Sequence, residues 1–123
     1  MAIIIDTNFV IYLIKHKIAD QAREMGRLVL PSTVEEELKK PTLGSDERRY
    51  ASAALALLDS WKVEIVPAEG RSVDDSILNL AKSLKKEGKD VQVATLDEAL
   101  ISRLNKIGIR TVGIKRGKLV SKA

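Results

Sequence analysis

The sequence predicts an α/β fold, a parallel sheet covered by helices. Short β-branched or Leu-rich runs alternate along it with stretches of helical period. The first such run, Ala2 to Ile5, is apolar throughout, as a strand buried on both faces must be. Glycines and a proline, Gly26, Gly88 and Pro41, fall where helices should end.

Strand one, Ala2 to Ile5, closes on the polar trio Asp6-Thr7-Asn8, and a helix is expected from Asn8 to Lys15 with a second from Ile18 to Met25. Arg27 to Leu30 reads as the second strand. After Pro31, Ser32 and Glu35 have the spacing of a capping box, so a helix is expected over Thr33 to Lys40, stopped by Pro41. The stretch Pro41 to Ser45 reads as a mobile loop, Asp46 to Ser60 as a helix and Lys62 to Val66 as a strand. Trp61 is expected to pack into the core at a helix end, and Pro67 to Ser72 to form a second loop. In the helix Asp74 to Glu87, Ile77, Leu80, Ala81 and Leu84 form the core stripe and leave Lys82, Lys85, Lys86 and Lys89 mostly to solvent. Strands follow at Val91 to Ala94 and Arg110 to Ile114, with a helix, Asp97 to Lys106, between them. A short last strand, Lys118 to Val120, could fold back across Arg116-Gly117, where the glycine suits a tight turn.

The length, 123 residues, suits one domain spanning the whole chain. A hydrophobic fraction of 45% beside 31% charged residues is that of a globular protein. Absence of Cys excludes disulfide scaffolds, thiol nucleophiles and thiolate zinc sites. A lone histidine, His16, excludes a two-imidazole mechanism and a His-rich metal site; lying between Lys15 and Lys17, it is expected at the surface or against a polyanionic partner. Chemistry must therefore run mostly on oxygen. The opening apolar run meets a carboxylate after four residues, too early for a signal peptide or a membrane span, so a cytoplasmic protein is expected. The net charge is +4, and the excess is uneven: no acid follows Glu98, while Arg103, Lys106, Arg110, Lys115, Arg116, Lys118 and Lys122 do.

Open parallel sheets gather functional groups at the carboxyl ends of their strands. Asp6 follows strand one directly; Asp97 lies three residues beyond Ala94; Asp74 and Asp75 open the helix leading to the fourth strand; Glu35, Glu36 and Glu37 lie in the first turns after the second. Apart from Asp6, each would also serve as an ordinary helix-start acid. Together they converge on one rim. Each close pair of carboxylates repels by on the order of 4 kcal/mol at an effective dielectric of 20. A hard divalent cation, Mg2+ or Mn2+, offsets that repulsion, prefers oxygen ligands and joins carboxylates to phosphates.

These residues resemble the PIN domain family of metal-dependent ribonucleases. The likeness covers nearly the whole chain: Ile3-Ile4-Ile5-Asp6-Thr7-Asn8, Pro31-Ser32-Thr33-Val34-Glu35-Glu36-Glu37-Leu38, Val73-Asp74-Asp75-Ser76-Ile77-Leu78, Val93-Ala94-Thr95-Leu96-Asp97 and Gly108-Ile109-Arg110-Thr111-Val112. It implies a three-layer α/β/α sandwich with a five-stranded, mainly parallel sheet in the order 3-2-1-4-5. It also implies catalytic and metal-binding roles for Asp6, Glu37 (the family's Glu directly before Leu), Asp74 and Asp97, with Asp75 as a further metal ligand beside Asp74. Thr7, Asn8 and Thr95 would orient the cluster, and Arg103, Lys106 and Arg116 would steer RNA. The implied reaction is hydrolysis of an RNA phosphodiester to a 5′ phosphate and a 3′ hydroxyl. The chain departs from the family at Leu96, where members commonly carry Asn, and at Ala99, where they often carry a further acid, so a second metal would bind weakly or only with substrate.

Within the family, a VapC-type toxin held by an antitoxin competes with an rRNA-processing nuclease; the Asp74-Asp75 pair and the basic Lys115-Arg116-Gly117 end are more like the latter. A homodimer is plausible by family likeness. A non-catalytic RNA- or protein-binding scaffold is the alternative from another class. Haloacid-dehalogenase-like chemistry would need an acid where Asn8 stands, and no phosphate-binding Gly-rich loop is present.

Overall fold

The computed structural model describes residues 1–40 and 44–122. From β1 (Ala2–Ile5) the chain passes through α1 (Thr7–Lys15) and α2 (Ala19–Met25) to β2 (Arg27–Pro31), then α3 (Ser32–Leu38), α4 (Ser45–Ser60) and β3 (Glu64–Val66). It continues through α5 (Val73–Lys86), β4 (Val91–Ala94), α6 (Glu98–Lys106), β5 (Arg110–Lys115) and β6 (Lys118–Lys122). The sheet order is β3-β2-β1-β4-β5-β6. β1 pairs in parallel with β2 and β4, β2 with β3 and β4 with β5; only β5 and β6 are antiparallel. Right-handed crossovers put α1 to α4 on one face and α5 and α6 on the other, with α1 against α4 and α5 against α6. Central β1 is buried along its whole length, and each isoleucine contributes roughly 2 kcal/mol of burial. All five parallel-strand carboxyl ends open on one rim.

The expected order 3-2-1-4-5 is present, but the sheet has six strands rather than five. The sixth forms because Arg116 and Gly117 both take positive φ, 53° and 73°, the backbone that matches a two-residue turn to the twist of its strands. Gln21 anchors this hairpin, its Oε1 accepting from Leu119 N at 3.0 Å.

β3 begins at Glu64, later than expected, because Lys62 sits at φ 55° and finishes α4. Lys62 N donates to Asp59 O and Val63 N to Leu58 O, both at 3.0 Å, the paired bonds of a Schellman end. Ser32 is not the cap of α3: Pro31 occupies that position and no side chain caps the helix. Ser32 Oγ instead accepts from Ala68 N at 3.0 Å, holding the loop before α5 against the start of α3. The expected stop at Pro41 and most of the Pro41–Ser45 loop lie outside the described residues; α4 starts from Gly44. Trp61 packs against the core at the end of α4 as expected, with the Arg23 guanidinium 4.9 Å from its ring.

Candidate metal centre

Asp6 ends β1 and caps α1, and it is only 5% exposed. Its two oxygens have separate partners. Oδ1 accepts from Thr7 N at 2.8 Å and Oδ2 from the buried Thr95 hydroxyl at 2.7 Å. Thr95, just beyond β4, also accepts from Asp97 N at 3.1 Å, so one hydroxyl sets both acids. Asp97 caps α6 through Oδ1, which accepts from Ala99 N at 2.9 Å and Leu100 N at 3.1 Å. Asn8 Oδ1 accepts from Leu96 N at 3.4 Å, linking the two strand ends again.

Asp74 lies in the first turn of α5, behind Ser72, whose Oγ accepts from Asp75 N at 3.1 Å. The Thr33 and Ser76 hydroxyls, 2.6 Å apart, join α3 to α5 and relate the helix carrying Glu37 to the one carrying Asp74. A cleft of about 520 Å³ results, lined by Asp6, Thr7, Asn8, Glu37, Asp74 and Asp97, and also by Ile11, Glu47, Ser72 and Val73.

Electrostatics follow from this crowding. Burial pushes the Asp6 carboxyl above its ordinary range, and the negative charges of Glu37 and Asp97 add to that; the Thr95 and Thr7 hydrogen bonds oppose it. Burial also raises Asp74, helped by the charges of Asp97 and Asp6 and by a hydrogen bond with the Asp97 carboxyl, while Arg103 pulls it down. The cleft therefore disfavours its own full ionisation.

A cation fits this donor set in part. Every polar lining side chain offers oxygen or an amide, the choice of hard ions, and Thr7 Oγ1 is buried with no hydrogen-bond partner. Among the described residues no group of three or more His, Cys, Asp and Glu side chains is placed to hold an ion by itself. One or two carboxylates completed by water is the usual manner of Mg2+.

Of the acids expected here, Asp6, Glu37, Asp74 and Asp97 share the cleft. Asp75 does not line it: its Oδ1 accepts from Arg103 at 2.9 Å. Glu35 pairs with Lys39 instead. Arg103 thus sits beside the cleft but is engaged. Lys106 ends α6, about 13 Å of helix from Asp97, and Arg116 lies in the β5–β6 turn. His16 is exposed, with its ring 4.1 Å from that of Tyr12. Glu47 was not anticipated; it is a first-turn acid of α4, the same signal that marked Asp74. Leu96 and Ala99 are exposed at the start of α6, so neither departure is compensated by burial.

A family profile described as PIN like domain matches residues 3–118. The chain belongs to this PIN-like domain family. It is also 33% identical, over 94% of its own length and 92% of the other's, to a protein of Methanocaldococcus jannaschii named Ribonuclease VapC4. Among the described residues no helix is long and apolar enough to cross a membrane.

Proposed function

We propose that this chain is a Mg2+- or Mn2+-dependent endoribonuclease that hydrolyses RNA phosphodiester bonds, acting as the toxin of a toxin–antitoxin pair. The observation carrying the most weight is Asp6, a buried carboxylate at the end of the central strand, held through both oxygens and surrounded by Glu37, Asp97 and Asp74. No packing role requires such repulsion. A nuclease named VapC4, related over almost the entire chain, supports RNA as the substrate and favours the toxin role. That relation outweighs the likeness of the Asp74-Asp75 pair and of the basic Lys115-Arg116-Gly117 end to rRNA-processing members.

In this mechanism Asp6, Asp97, Asp74 and Glu37 hold the cation directly or through water, with Asp75 behind them. Bound there, an ion would lower the pKa of an attacking water and offset charge on the phosphate and the leaving oxygen. Thr95 fixes the Asp6 oxygen and the start of α6 together, and Thr7 and Asn8 keep the cleft floor polar. Arg103 stabilises the anionic side of α5, and RNA approaches past it. A small antitoxin with a basic tail is the partner whose charge suits the cleft, and a homodimer is the expected assembly.

Asp6→Asn tests this reading. Cleavage of single-stranded RNA in Mn2+ should disappear while the circular dichroism spectrum and a cooperative melting transition persist, because the amide keeps the shape and loses the charge. Undiminished cleavage by the variant would end the assignment. Growth arrest on expression, relieved by a neighbouring antitoxin frame, would read out the toxin role.

A further inference from the structure

We propose a second RNA contact, a phosphate-binding recess at the far end of α5 and α6, built from Lys82, Lys85 and Lys86. It rests on RNA being the substrate. The recess measures about 370 Å³ and is lined by these three lysines with Ile107 and Ile109, and no acid lines it. Its floor is built rather than merely exposed. Lys85 Nζ donates to the carbonyls of Ile107 at 2.9 Å and Gly108 at 3.2 Å, just past the end of α6. The ammonium thereby neutralises a helix end whose dipole would otherwise repel a phosphate.

Lys82 and Lys86 are exposed and stand one turn apart on α5. Among the described residues neither has an ion-pair partner; the nearby Glu87 is taken by Lys89 at 3.3 Å. Like charges at this helical spacing repel, so an anionic visitor relieves a cost that the free protein carries. Lysines act on phosphates as point charges without reading sequence. Ile109 is buried and Ile107 half-buried, leaving no aromatic or large apolar anchor of the kind a protein interface centres on. The geometry therefore favours a nucleic-acid backbone over a protein. From Asp74 to Lys86 the helix spans about 18 Å, the reach of about five nucleotides of a stacked strand at 3.4 Å each. One strand can touch both the cleft and the recess.

Fluorescence anisotropy with a labelled 20-nucleotide RNA, in EDTA so that nothing is cleaved, tests this. The double variant Lys82→Gln/Lys86→Gln should bind more weakly, and the slope of log K against log salt should fall in magnitude by about 1.4, two phosphate contacts at about 0.7 each for single strands. A charge-matched control, Lys118→Gln/Lys122→Gln on β6, should lose less. An unchanged slope in the first variant, or an equal loss in the control, overturns the recess. Because binding in EDTA and cleavage in Mn2+ are read separately, failure of the recess is distinguishable from failure of the nuclease assignment.

Discussion

Thr95 has an influence out of proportion to its size. Its single hydroxyl donates a hydrogen bond to Asp6 and accepts one from the Asp97 amide. Replacing it with valine keeps the volume and strands both partners, so Thr95→Val should destabilise the fold by about 1–3 kcal/mol in chemical denaturation. Losing a hydrogen bond to the charged form should also raise the Asp6 carboxyl further, so Mn2+ binding measured calorimetrically should shift to higher pH in this variant. The same residue scale governs pH. Asp6 and Asp74 are raised above the ordinary 3.8, so the folded state holds their protons more tightly than the unfolded chain does. Their contribution to stability is complete below that ordinary value and is lost as pH rises through the raised ones. In EDTA, wild type should thus lose stability relative to Asp6→Asn as pH climbs above about 4, and saturating Mn2+ at neutral pH should restore it; parallel melting curves at every pH would contradict this.

At the scale of elements, helix ends explain where the sequence could and could not be read. α5 and α6 finish at Gly88 and Gly108, with φ of 80° and 74°, and Gly88 is legible because glycine favours that conformation. α1 and α4 finish in the same way on Lys17 and Lys62, with φ of 57° and 55°, which no residue-type preference announces. The expected strand therefore ran back to Lys62 and took in part of a helix end. Left-handed backbone costs a lysine roughly 1 kcal/mol, offset in part by the freedom that glycine has when unfolded. Lys62→Gly should accordingly raise stability by about 0.5 kcal/mol, read as a shift of the urea midpoint. Ser32 misled for a related reason: its spacing to Glu35 satisfied a local rule, whereas its hydroxyl is used across the fold on Ala68. The candidate site was more legible than these details, since Asp6, Asp74 and Asp97 each begin a helix directly after a strand or loop of the rim. Glu47 was missed because only the folded α3–α4 layer brings the start of α4 to the cleft.

Over the whole molecule, two clefts of opposite charge stand at opposite ends of α5. One, at the carboxyl rim of the sheet, is lined by acids, and the other by Lys82, Lys85 and Lys86. The strand order was legible because apolar β1 had to be central and the family likeness supplied the rest; the number of strands was legible in part, since the Arg116-Gly117 turn announces a short strand from Lys118, but an exposed, Lys-rich hairpin carries too little hydrophobic pattern to count it into the sheet. That hairpin has a consequence for solubility. β6 forms one margin of the sheet, and Lys118 and Lys122 stand at its two ends. A stray strand seeking backbone partners along that border would have to bring its own chain alongside two ammonium groups. β6 thus acts as a fender for the five parallel strands behind it, discouraging the sheet from growing by accretion.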